Sequence, residues 1–315
     1  MTSVLSPAGP AAAWIADASW LLFGGGALIF VLVMTLLALA LRDDAGRVRR
    51  GLWLVGGGFV FPAVVLSALL VYAFAGTARL GRAAPADAMV VTIVGHMWWW
   101  EVRYREPAGG REVVLANELR LPVGRPVRLA LESADVIHSL WVPALAGKVD
   151  LVPGRVNHLV VQADAEGVFG GPCAEYCGEQ HARMELRVAA MSVAAFDAWL
   201  KAQALPARQP ADALQARGRQ AFIDQRCVVC HTVRGLPEWP APGAPPADVP
   251  TVGPDLTHVG SRLSLGAGRL PNGRAHLAAW IRGVQHLKRG ARMPSFDALD
   301  AATVDALAAY LESLE

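Results

Sequence analysis

Two stretches of this chain, residues 18 to 41 and 51 to 78, contain no charged side chain, and each is long enough to cross a bilayer. In hydrocarbon every backbone N–H and C=O needs an internal partner, so each stretch is expected to be a helix. The residues before the first stretch hold no Lys or Arg to make the basic start of a cleaved leader, which predicts a retained two-helix hairpin. Its connecting loop, Arg42 to Arg50, carries Arg42, Arg47, Arg49 and Arg50, so the positive-inside rule puts the loop in the cytoplasm and everything after residue 80 outside. The first histidine is His96, so neither span offers a His to haem or copper. Small residues at Gly24 to Gly26 and Gly56 to Gly58 allow close helix packing, either against a larger membrane subunit or between the two spans. The formal charge of the 315 residues is only +2, with no long basic run, so nothing points to nucleic acid and no such partner is expected.

Beyond residue 170 the chemistry concentrates. Cys173-Ala-Glu-Tyr-Cys177-Gly-Glu-Gln-His181-Ala-Arg-Met184 gathers two thiols, an imidazole and a thioether, with His138 as a distant partner. Such soft or borderline donors suit copper and suit calcium or magnesium poorly. The residues alone leave two rivals. A disulfide between Cys173 and Cys177 leaves His181 and Met184 unexplained, and a tetrahedral zinc on two Cys and two His has no use for the thioether.

Residues 81 to 203 have the texture of strands. Val127, Leu129 and Leu131 alternate with Arg128, Ala130 and Glu132, and Met184, Leu186 and Val188 alternate with Glu185 and Arg187. Turns are marked by Pro122-Val-Gly124 and Pro153-Gly154. Several short strands predict a β-sandwich or Greek-key barrel, with His138 and the Cys-rich loop meeting at one end. The runs Ser133-Ala-Asp-Val-Ile-His-Ser-Leu-Trp-Val-Pro143, Lys148-Val-Asp-Leu-Val-Pro-Gly154 and Cys173-Ala-Glu-Tyr-Cys-Gly178, after two membrane spans, resemble cytochrome c oxidase subunit II. The resemblance implies a cupredoxin fold holding a dinuclear copper centre, CuA, in which Cys173 and Cys177 bridge both coppers and His138 and His181 each cap one. Met184 and the backbone carbonyl of Glu175 complete that set, and the Glu175 side chain matches the family residue that reaches a magnesium ion at the boundary with subunit I. Gly95-His-Met-Trp98-Trp99-Trp100 is similar to the family's aromatic segment where electrons arrive, with Trp98 at the receiving position; the alternative is three tryptophans of the sandwich core or its rim. The family usually has Gln and Tyr where Met97 and Trp99 stand, and many members carry a Glu where Val55 and Gly56 stand.

After Pro206 and Pro210 the pattern turns helical, and Cys227-Val-Val-Cys230-His231 is the C-x-x-C-H signature of covalent haem c attachment. A redox-active dithiol is the alternative, but that motif belongs to a strand–helix–strand setting absent here and needs no trailing His. Met293, in Ala291-Arg-Met-Pro-Ser, is the expected sixth iron ligand, with His258, His276 and His286 as rivals. The segment resembles class I cytochrome c: Gly253-Pro-Asp-Leu256 and Gly260-Ser-Arg262 match its haem-packing turn, and Trp280 falls in a helix before the Met loop. Val304, Leu307, Leu311 and Leu314 recur at helical spacing, and Pro237 to Pro254 is expected to be a surface loop.

The expected architecture is thus a transmembrane helical hairpin over 1–80, an all-β cupredoxin CuA domain over 81–203, a linker over 204–213 and an all-α class I cytochrome c domain over 214–315. By resemblance the chain is the electron-input subunit of a proton-pumping cytochrome c oxidase in a bacterial plasma membrane, with its copper and haem domains on the outer, periplasmic side. Its partners would be subunit I, with haem a and CuB, subunit III, membrane lipid and an external donor such as cytochrome c. The tethered haem would spare the copper a diffusional encounter. Two other functions fit the same residues: a CuA-bearing subunit of a haem-copper nitric oxide reductase, and a copper delivery protein.

Overall fold

The computed structural model describes residues 3–42, 49–81, 84–105, 112–236 and 252–315. Most of the Arg42 to Arg50 loop and of the Pro237 to Pro254 loop therefore lies outside the described residues. The chain divides into two compact units, Ala11–Ala83 and the remainder, Met1–Pro10 with Ala84–Glu315.

The first unit is the hairpin. Helix α1 runs Pro10–Arg42, and the second span, Leu52–Leu80, opens with a π-helical segment, Leu52–Val60, before α2, Phe61–Leu80. The wider turns precede Pro62, which has no N–H to give, and the Phe61 N–H reaches back five residues to the Gly56 carbonyl. Ser19, Thr35 and Thr77 return their hydroxyls to carbonyls one turn back, as polar groups in hydrocarbon must. The spans meet at Gly76, where an added Cβ would lie 1.6 Å from the Trp14 ring, and Trp14 stacks on Tyr72 with centroids 5.9 Å apart. The expected glycine contacts take another form. Gly24, Gly25 and Gly26 have nothing within 4 Å of a built Cβ, and Gly56 to Gly58 touch only their own segment.

The second unit joins a sandwich to a helical half. One sheet orders its strands β3 (Val113–Ala116), β2 (Trp99–Tyr104), β1 (Met89–His96), β5 (Val127–Ser133) and β8 (Asn157–Val161); the other orders β4 (Glu118–Pro122), β10 (Glu185–Met191) and β9 (Gly167–Pro172). A two-stranded ribbon, β6 (His138–Leu140) with β7 (Val149–Leu151), closes one end. The alternation seen in the sequence is the core: Val127, Leu129 and Leu131 of β5 and Leu186 and Val188 of β10 are all fully buried. Gly124 and Gly154 take the positive φ their turns require, +76° and +75°. Two pairings are parallel, β1 with β5 and β4 with β10.

In the helical half, α3 (Val193–Gln203) leaves the sandwich and α4 (Ala213–Asp224), α5 (Arg274–Leu287) and α6 (Ala301–Ser313) enclose a separate core. Ser192, Asp212 and Asp300 cap the starts of α3, α4 and α6 by accepting from backbone N–H groups three residues on. Helices α4 and α6 cross in contact at Gly218, where a Cβ would fall 1.9 Å from the Ala306 carbonyl. Val304, Leu307, Tyr310, Leu311 and Leu314 are all buried there, as their spacing predicted.

Candidate metal and cofactor sites

The loop after β9 is drawn to the ribbon by backbone bonds. Ala174 N–H donates to the Ser139 carbonyl at 2.9 Å, and Cys173 N–H to that of Met184 at 2.9 Å. These bonds bring His138 of β6, Cys173 and Cys177 together, with metal-binding atoms all within 4.8 Å of one another. The two thiols are free and their sulfurs lie 3.9 Å apart. His138 Nδ1 stands 3.9 Å from Cys173 Sγ, and His181 Nδ1 3.7 Å from Cys177 Sγ. The remaining predicted donors also converge: Met184 Sδ is 3.8 Å from Cys177 Sγ, and the Glu175 carbonyl 3.3 Å from Cys173 Sγ. Each imidazole therefore flanks a different thiol.

The tautomer of His138 follows from its other nitrogen. Nε2 lies 2.8 Å from Asp135 Oδ1, so the ring proton sits there and Nδ1 presents its lone pair to the sulfurs. Gly95 makes room for the ring, since a Cβ would stand 2.7 Å from His138 Cδ2. The thiols divide one proton unequally. Their mutual contact lowers the Cys173 pKa, with help from His138, while that contact and burial push Cys177 up. A cation between them relieves the repulsion that opposes loss of the second proton. The Glu175 carboxylate turns away from the sulfurs to Lys148, 3.4 Å off and half exposed.

The second site is a cavity of about 460 Å³ in the helical half. Cys227, Cys230, His231 and Met293 all line it; His258, His276 and His286 do not, and His258 Nε2 is committed to the Leu205 carbonyl at 3.0 Å. His231 Nδ1 lies 2.8 Å from the Pro254 carbonyl, which fixes the proton on Nδ1 and leaves Nε2 as a free ligand atom. Burial keeps that ring neutral by lowering its pKa. Gly253 packs on it so closely that a Cβ would meet the ring at 2.8 Å. Gln285 Nε2 pins the Met293 loop by donating to the Ala291 and Met293 carbonyls, both at 2.7 Å. Half-buried Arg262 reaches the same cavity; its Nη2 donates to the Asp255 carbonyl, while its buried Nε has no partner among the described residues. Such an orphaned donor in an apolar chamber fits the carboxylate of a haem.

The cavity wall is shared. Met97, Trp98, Trp99 and Asn117 contribute to it from the sandwich. Trp98 Nε1 donates to the Cys177 carbonyl at 2.8 Å, so one indole touches both sites. The other two tryptophans take the core and rim places: Trp100 is fully buried, and Trp99 stacks on His96 with centroids 4.3 Å apart. Sequence reasoning passed over Asp135, although a carboxylate three residues before a ligand His is a usable signal. Lys288, described below, had none.

Comparison with known proteins finds a family match over each of the two parts of the chain that hold these sites. Residues 106–191 match the family model of the cytochrome c oxidase subunit II periplasmic domain, and residues 215–315 match that of cytochrome c. Cytochrome c oxidase subunit 2 of Alkalihalophilus pseudofirmus is 33% identical over 99% of this chain and 91% of its own length. That of Bacillus subtilis is 28% identical over 81% of this chain and 73% of its own. Among solved structures, the periplasmic domain of subunit II of cytochrome oxidase from Bradyrhizobium japonicum is 28% identical, covers 38% of this chain and 96% of that one, and superposes with a TM-score of 0.35. Two apolar helices, a sandwich and a haem-type helical half in one chain, aligned end to end with such a relative, place the chain in the cytochrome c oxidase subunit 2 family, in a form that carries a cytochrome c domain.

Proposed function

We propose that this chain is the electron-input subunit of a proton-pumping cytochrome c oxidase, taking electrons from an external donor such as cytochrome c at its own haem c and passing them through a dinuclear CuA centre to haem a of subunit I. Copper and haem c binding follow from the two families, as does a place in a haem-copper oxidase complex, membrane-anchored beside subunit I. The arrangement of side chains supports the finer reading. Cys173, Cys177, His138 and His181 would hold the copper, with Met184 and the Glu175 carbonyl as weaker donors. Cys227 and Cys230 would anchor haem c, and His231 and Met293 would hold its iron. When bound, the copper and the haem would supply one-electron chemistry, with Met293 as the residue that would raise the potential of the iron. The chain's own part is to hold the donors still and, through Asp135 at His138 Nε2 and the Pro254 carbonyl at His231 Nδ1, to leave the opposite ring nitrogen open as a ligand.

The observation that carries the reading is Trp98, which lines the haem cavity and hydrogen-bonds the carbonyl of a copper ligand. The Glu175 carboxylate is the candidate for magnesium at the subunit I boundary, and subunit III is the further expected partner. We place the chain in a bacterial plasma membrane, crossing it twice with both redox domains on the outer side. The test is magnetic resonance of the oxidised chain together with gas uptake by the purified complex. Expected are the hyperfine pattern of one electron shared by two coppers, a c-type haem spectrum, and oxygen consumption exceeding nitric oxide consumption. A lone copper signal, a silent metal or preferential nitric oxide turnover would overturn it.

A further inference from the structure

The sandwich and the helical half meet along a buried polar seam. Glu118 of β4, paired with Arg120 at 2.5 Å, accepts from the Leu263 N–H at 2.8 Å, and the Glu185 N–H donates to the Ala267 carbonyl at 3.2 Å. At the seam's other end is Lys288, the residue that follows α5, only 4% exposed. Its ammonium donates to the carbonyls of Trp98 at 2.7 Å, Arg183 at 2.9 Å and Gly266 at 3.0 Å. An ammonium has three protons, so none is left over. A lysine at a helix end ordinarily extends its charge to water, as the neighbouring Arg289 side chain does at 83% exposure. Burying the charge is costly unless every proton is paired, so the placement is specific.

The three acceptors belong to three working parts. Trp98 lies in the turn between β1 and β2 that walls the haem cavity, Arg183 precedes the copper-loop residue Met184, and Gly266 lines the cavity from the helical half. The loop carrying Lys288 also lies on the indole: at Gly290, φ +77°, a Cβ would stand 3.4 Å from the Trp98 ring. We propose that Lys288 is a positioning residue for transfer between the haem and copper sites, locking the cavity wall, the Trp98 turn and the copper loop in one register through its three hydrogen bonds. The proposal rests on the reading of those sites given above. Desolvation pushes the ammonium down to about 7, with Cys177 favouring its charge and Arg183 opposing it, as expected of a group held for its geometry against its solvation.

The test is Lys288→Met in the full chain. Photoinitiated haem-to-copper transfer should slow by roughly tenfold or more, since a small displacement between reacting groups is costly, while the copper resonance and haem absorption keep their native form. Amide hydrogen exchange at Leu263 and Glu185, whose N–H groups cross the seam, should quicken even before copper is loaded. Lys288→Gln, with two donors in place of three, should give intermediate values. Native transfer and native exchange in the Met variant would overturn the proposal. If that variant loses a cofactor, the Gln variant decides: intermediate values support the clamp and native values sink it. Absence of a two-copper signal from the native chain would instead remove the copper reading, and exchange at the seam would then test the clamp alone.

Discussion

The carboxylate of Asp135 decides which nitrogen of His138 is open. By accepting from Nε2 it keeps the lone pair on Nδ1, on the side of the sulfurs. Asp135→Asn can present the wrong tautomer, and copper affinity should fall by about 10- to 100-fold in competition with a chelator, with the haem spectrum unchanged. His96 works against acid stability. Burial pushes it down to about 4 from its ordinary 6.5, and its Nε2 has no hydrogen-bond partner among the described residues. Between those values the unfolded chain binds a proton that the folded one refuses, so stability is full above 6.5 and falls as the pH drops towards 4, by about 3 kcal/mol in all. Glu101, pushed up by burial, acts in the opposite sense and is present in both chains compared. His96→Phe keeps the flat ring beside Trp99, so its urea midpoint should fall less than the native one between pH 7 and pH 4.5. Met293→Ala should lower the haem potential in a redox titration and let an external ligand such as cyanide reach the iron; an unchanged potential would give the axial place to another residue.

Helices α4 and α6 touch backbone to backbone, and the contact depends on one missing methyl group. Gly218→Ala would set a Cβ 1.9 Å from the Ala306 carbonyl, forcing the helices apart. A loss of about 1–3 kcal/mol is expected, read as a lower Tm followed through haem absorbance. At this scale much was legible in the sequence. Alternation marked β5 and β10, and the apolar spacing of Val304 to Leu314 marked α6, because both signals are local and repeat with the period of the backbone. The parallel pairings of β1 with β5 and β4 with β10 were not, since the partners are far apart in sequence and no turn residue fixes their register. Nor was the seat of the N-terminal segment on the sandwich, where the Ala8 N–H donates to the Ala144 carbonyl at 2.7 Å; backbone contacts leave little trace in side-chain pattern.

Across the whole molecule the two cofactor sites were readable and their joining was not. Ligand spacing is written in side chains that few other uses explain, Cys173 to Met184 and Cys227 to His231. The seam is written largely in carbonyls that any residue would supply, so Lys288 looks in the sequence like one more basic group at a helix end. The sequence suggested a haem carried on a tether, whereas in the structure the helical half packs in one compact unit with the sandwich. Under the proposed electron route, that packing would make its two halves answer differently to dissolved ions. Mobile ions screen charges they can surround, and at 0.1 M they do so over about 10 Å. Lys288 and Glu118 are closed off from them, at 4% and 5% exposure. From about 10 mM to 0.5 M salt, transfer inside the chain should keep its rate in flash experiments, while reduction by a soluble charged donor changes severalfold. A respiratory chain wired in this way would hold its last outer step constant through swings in the ionic composition of the surrounding medium.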